Sequence, residues 1–197
     1  MLESLTAGRA MDMIDNSTRR QIRRGLLSAD ARMRAECVDA LASLADVPGL
    51  FAALRVPDGY VRARAASALS NVPGLRVTWR LARLLRDRNP DVRGAVARGL
   101  ARRGGWLAAR MLARLATDGH SVVRYTALTS LAQTDWERAR PLLLAAVSRE
   151  TEGWIRDAAA ALLQSHDAPG RHRAAPPASS NSTHKRWSMT LTAPKAR

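Results

Sequence analysis

The chain has 197 residues, 46% hydrophobic and only 4% aromatic, with 32 bases against 17 acids for a net charge of +15. Ala, Leu and Arg supply 92 of the 197, and Val, Ile, Thr and aromatics are too thin to fill a β-sandwich or barrel, so helices are favoured. No run of about 18 apolar residues occurs, which excludes a membrane-spanning helix, and the single cysteine, Cys37, excludes an internal disulfide framework and a Cys-based zinc site.

Residues 1–16 read as a leader that carries acids and lacks the apolar stretch of a secretory signal, so a cytoplasmic location is expected. Arg19, Arg20, Arg23 and Arg24 then cluster on the first helical pattern. From there an apolar-Arg pair recurs: Met33-Arg34, Val61-Arg62, Val92-Arg93, Val123-Arg124 and Ile155-Arg156, at intervals of 28, 31, 31 and 32 residues. Counted from each apolar anchor, positions +4, +7 and +8 are small or apolar in every unit. They are Cys37, Ala40 and Leu41, then Ala65, Ala68 and Leu69, then Val96, Gly99 and Leu100, then Ala127, Ser130 and Leu131, then Ala159, Leu162 and Leu163. That spacing is one face of an α-helix.

A second helix precedes each of these. Val77, Leu81, Leu84 and Leu85 lie in the same register before the third unit, and Ala108, Leu112, Leu115 and Ala116 before the fourth. Pro48-Gly49, Pro73-Gly74, Gly104-Gly105 and Thr134-Asp135 punctuate the pairs. Each unit is a helical hairpin with one apolar flank that it cannot bury alone, and stacking neighbours solves that. The predicted fold is all-α: a right-handed α-solenoid of about five short hairpins over residues 17–165, followed by a basic tail over 166–197.

The stretch Asp87-Arg88-Asn89-Pro90-Asp91-Val92-Arg93, followed by Val96 and Leu100, resembles the junction of HEAT repeats, specifically the short type of phycobilisome-lyase-like proteins. The family places an acid five residues before the apolar anchor and Arg just after it. Asp87, Asp118 and Glu150 hold the acid position ahead of Arg93, Arg124 and Arg156. Ser28 and Val56 stand there in the first two units, with Asp30 and Asp58 two residues later. The resemblance implies that each Arg sits beside the acid of its preceding turn and ties turns together, a partly buried pair that fixes register.

At 100° per residue, positions +2, +6 and +9 of each second helix face away from the core. They include Arg98, Tyr125, Thr129 and Asp157, in a surface otherwise small and nearly neutral, more hospitable to a helix or extended peptide than to duplex DNA. The bases lie elsewhere. Arg76, Arg80 and Arg83 occupy the solvent side of one first helix, and Arg110 and Arg114 continue that surface on the next, suiting an acidic partner.

No catalytic constellation is present. There is no H-E-x-x-H, nucleophile elbow or phosphate-binding glycine loop, and no cofactor or metal is expected. Asp87, Asn89 and Asp91 start like a calcium loop, but Val92 stands where Gly is needed and Arg98 where the bidentate Glu is needed. Trp79, Trp106, Trp136 and Trp154 near helix starts, with Asp157, weakly echo HEAT-like DNA glycosylases; the rest of that site has no match, and a bilin lyase activity does not carry over from fold alone. The tail, rich in Pro, Ser and positive charge with Trp187 as its one anchor, is expected to be disordered. The expected function is a non-catalytic scaffold for a protein or peptide partner, acidic if the basic surface is used. The alternative is weak nucleic-acid association through that surface and the tail.

Overall fold

The computed structural model describes residues 16–167. All of the expected leader but Asn16, which begins the first helix, and most of the expected tail lie outside that range. The helices are α1 (Asn16–Gly25), α2 (Ala31–Ser43), α3 (Val47–Ala53), α4 (Gly59–Leu69), α5 (Leu75–Arg83, extended by a 3-10 turn Leu84–Arg86), α6 (Pro90–Arg103), α7 (Gly105–Leu115), α8 (Ser121–Thr134), α9 (Trp136–Arg149) and α10 (Gly153–Asp167). They form five successive hairpins. The second helices α2, α4, α6, α8 and α10 stack in one row, each on the next, and the first helices form a second layer over them. The chain is an all-α solenoid.

Local chemistry explains the helix starts. Asp30, Asp58 and Asn89 have extended backbones and accept the amide two residues on, at Arg32, Tyr60 and Asp91. Pro90 supplies the first helical residue of α6, where its missing N–H costs nothing. Gly104 and Gly105 take φ of 65° and 79° between α6 and α7, a turn that a side chain would strain.

The periodic positions make the core between the layers. Val61, Val92, Val123 and Ile155 are at most 1% exposed, and Leu41, Leu69, Leu100 and Leu131 are fully buried. Each second-helix row buries its apolar face against both neighbours and the first helices, the reason one hairpin could not stand alone. Cys37 belongs to this core; burial and the neighbouring Glu36 push its thiol pKa up, as befits a packing residue.

Three expectations are corrected. Met33, in register with the buried anchors, is 46% exposed, because no described repeat stacks on its side. Leu162 is half-buried, as Ala40 and Ala68 are at the same position, and Leu163 is half-buried for the mirror reason at the other end. The helix of the last unit also runs beyond 165: His166 lies in α10 and stacks on Trp136, ring centroids 3.7 Å apart and 9° from parallel.

The third correction concerns the arginine pairs. Each guanidinium reaches forward to the acid of the following turn. Arg34 binds Asp58, Arg62 binds Asp87, Arg93 binds Asp118 and Arg124 binds Glu150, through Nε and Nη2 at 2.5–2.9 Å. The remaining nitrogen, Nη1, donates to backbone carbonyls of its own preceding turn, such as Asp87 for Arg93 and Asp118 for Arg124. One arginine therefore closes its own turn and clamps the next, which staples consecutive repeats. Asp58 fills the acid's role despite its two-residue offset.

Candidate partner-binding groove

The turn before α5 places the first wall of the groove. Gly74 has φ 111°, and Arg103 from the end of α6 donates to the Val72 carbonyl, to the Gly74 carbonyl at 2.8 Å and to Thr78 Oγ1 at 3.0 Å. With Val77, Leu81 and Leu84 turned into the core, helical spacing leaves Arg76, Arg80 and Arg83 at the surface. On α7, Ala108, Leu112 and Leu115 are buried, and Trp106, Arg110 and Arg114 face out. The two outer stripes meet across a groove of about 1360 Å³.

Six arginines line it: Arg76, Arg80, Arg83, Arg86, Arg110 and Arg114. No carboxylate lies among the lining residues. None of the six guanidiniums belongs to the described ion pairs, all of which use other residues. Arg80 rests over the Phe51 ring at 5.1 Å, which orients its stem without neutralising it. Between the arginines lies apolar surface from Leu75, Leu85, Leu107 and Met111, with Trp79 and Trp106 exposed by 60% and 65%. A second depression of about 590 Å³ continues the groove through Leu75, Trp106 and Leu107 toward the Gly74 and Gly104 turns. Guanidiniums, indoles and aliphatic carbons supply anion recognition and hydrophobic anchoring, and no lining side chain can shuttle a proton near neutral pH.

The groove brings together five of the nine arginines expected on the basic surface: Arg76, Arg80, Arg83, Arg110 and Arg114. The four on α1 are apart from it. Arg20 and Arg24 are exposed and Arg19 is half-buried, whereas Arg23 forks onto buried Asp46 at 2.8 and 2.6 Å and is a structural residue. On the outward face of the second-helix row, Arg98, Tyr125 and Asp157 are exposed. Thr129 is half-buried, its hydroxyl bonded to the Tyr125 and Thr126 carbonyls of its own helix. Tyr125 packs on Trp154 with centroids 5.1 Å apart. Neither of the two depressions described above includes these four residues.

Sequence reasoning missed Arg86, Leu75, Leu107 and Met111 as groove residues. Arg86 is the last residue of the 3-10 turn, where the 3.6-residue period no longer applies. The others matter only because α5 and α7 leave a gap between them, which periodicity within one helix does not contain.

Residues 77–164 match the family model of HEAT repeats. Over this segment the chain is similar to HEAT repeats. The segment takes in α5 almost from its start, the groove except Leu75 and Arg76, and most of α10. Among solved structures, the chain is similar to one in the complex of CpcE and CpcF of phycocyanin lyase from Nostoc sp. PCC7120, with 22% identity and a TM-score of 0.54. That likeness covers 74% of this chain and 64% of the other, so this chain spans less than two thirds of its neighbour's length, and at this identity the likeness shows the fold alone. An engineered protein is similar at 20% identity and a TM-score of 0.48, over 74% of this chain and 78% of that one. No curated protein sequence matches the chain.

Proposed function

We propose that this chain is a non-catalytic HEAT-repeat scaffold whose groove between α5 and α7 holds an acidic, amphipathic segment of a protein partner. The observation that carries the reading is six arginines without carboxylate partners among the described residues, around an apolar floor with two exposed tryptophans. Purely electrostatic binding of a duplex would use the arginines and leave that floor bare. An amphipathic helix with acids flanking its apolar stripe uses both, and Trp and Arg are the residues that most often dominate binding energy at protein interfaces. The arginine stems themselves extend the apolar surface.

A second reading, single-stranded nucleic acid, is favoured by the indoles of Trp79 and Trp106, on which bases could stack beside the guanidiniums. Fluorescence anisotropy separates the two. A labelled amphipathic Leu/Glu peptide is expected to bind, and Arg76, Arg80 and Arg83 changed together to Gln should weaken it about tenfold or more. A short single-stranded DNA is expected to bind only at low salt and to be released by about 0.2 M. Tyr125→Ala with Thr129→Ala should leave the peptide's affinity unchanged. DNA binding that survives that salt, with no affinity for the peptide, would replace the first reading by the second.

A further inference from the structure

Among the described residues the ladder of arginine–carboxylate pairs is open at both ends, and the two ends are chemically complementary. At the C-terminal end, Arg156 repeats the inner half of every rung: its Nη1 donates to the Glu150 and Thr151 carbonyls at 2.8 and 3.1 Å. In Arg34, Arg62, Arg93 and Arg124 this arrangement aims Nε and Nη2 at the next carboxylate; for Arg156 no carboxylate among the described residues receives them. The sequence beyond Asp167 contains no Asp or Glu. At the N-terminal end, Asp30 holds the position of Asp58: both begin a second helix and both accept the amide two residues on at 2.8 Å. Asp58 also receives Arg34, whereas Asp30 has no arginine partner among the described residues.

The apolar register is open at the same two places. Met33 is 46% exposed where its four counterparts are at most 1%. Leu163, beside half-buried Leu162, is itself half-buried where its counterparts Leu41, Leu69, Leu100 and Leu131 are fully covered. An end that lacks one acid and one apolar cover thus faces, in another molecule, an end that lacks one arginine and one apolar cover.

We propose that two copies of this chain associate end to end, the α10 end of one receiving the α2 end of the other, with Arg156 forked onto Asp30 of the second copy and Met33 of that copy set against Leu162 and Leu163. The contact continues the solenoid's own repeat across the junction. It is heterologous, so each added copy leaves one open end of each kind and the assembly grows with concentration. This inference is independent of the groove.

Sedimentation equilibrium of the full chain tests it. The weight-average mass is expected to rise above the 21.4 kDa of one chain as concentration increases. Arg156→Glu, which sets two acids against each other, should weaken association about tenfold or more. Asp30→Arg should do the same, and the two changes in one chain should restore it, because the charges are exchanged and remain complementary. Asp30 also caps α2, so Met33→Glu serves as a second, exposed-site variant that is likewise expected to dissociate the copies. Far-UV circular dichroism checks that each variant is folded, and the triple Gln variant of the groove should associate as the parent does. A mass that stays at one chain throughout, or association indifferent to both Arg156→Glu and Met33→Glu, would overturn the proposal.

Discussion

Arg62 and Asp87 belong to different repeats, yet they form the most deeply buried ion pair of the ladder. Their side chains are each 8% exposed, with Nε and Nη2 at 2.8 and 2.7 Å from the two carboxylate oxygens. The Val56 and Pro57 carbonyls hold the third nitrogen. Burial by itself would raise the Asp87 pKa, but the Arg62 fork and the Asn89 amide outweigh it and keep the carboxyl below its usual range. A pair satisfied so fully sets the spacing between α4 and α6 more than it adds net stability.

Removing one partner is a different matter. Asp87→Ala strands the Arg62 guanidinium and is expected to cost about 3–5 kcal/mol. Asp91→Ala, at an exposed first-turn position, should cost about 1 kcal/mol or less. Urea denaturation of both variants measures the difference. A double-mutant cycle should show coupling of Asp87 to Arg62 and little to Arg93, which touches Asp87 only through its backbone carbonyl.

Acid should unfasten the ladder. The Arg124 fork, opposed by burial and helped by the Glu152 and Thr151 amides, brings the Glu150 pKa down to about 2, and Asp46, Asp58, Asp87 and Asp118 are likewise lowered. A depressed carboxyl contributes stability that is complete above its unfolded pKa, near 4, and is lost as pH falls through the folded value. Thermal melts should therefore be flat from pH 7 to about 5 and fall steeply toward pH 2. Glu150→Gln should lower the plateau and shallow that descent. A melting temperature independent of pH over this range would contradict the ladder's role.

Leu100 is fully buried where α6 meets its neighbours. Leu100→Ala is expected to cost about 2–5 kcal/mol, the usual range for a core cavity. A loss below about 0.5 kcal/mol would mean that this helix face does not carry the stack.

Gly99 lies where α6 crosses α4, and a Cβ there would come within 2.7 Å of Ser70 Cβ. Gly99→Ala should destabilise by about 1–3 kcal/mol despite the better helix propensity of Ala. Stabilisation on substitution would show that the two helices have room to part.

Ala45, just past α2, has φ 49°, the left-handed region that suits glycine. Ala45→Gly is expected to raise stability by about 1 kcal/mol, against the general trend for glycine substitutions. The denaturation midpoint should increase with an unchanged slope.

Helical periodicity was enough to place Val61, Val92, Val123 and Ile155 in the core, together with Leu69, Leu100 and Leu131. The burial of a residue on an amphipathic helix depends on which face it occupies, and a period of 3.6 residues reads that face directly. The same reasoning put Arg76, Arg80 and Arg83 on one outer stripe, and Arg110 and Arg114 on another. It erred at Met33 and Leu163, because their burial depends on having a neighbour beyond them and not on their own helix. The family resemblance implied Arg93 beside Asp87, whereas the stack gives Arg93 to Asp118. Proximity in sequence favours the near acid, but the near turn already occupies the guanidinium with its carbonyl, and the extended side chain reaches the next repeat. The groove was decided at the same level. Its walls are written in two helices separately, but its width, its apolar floor and the convergence of six arginines come from how α5 and α7 are held apart on the row beneath them. A spacing between helices is a property of packing, and no single helix encodes it.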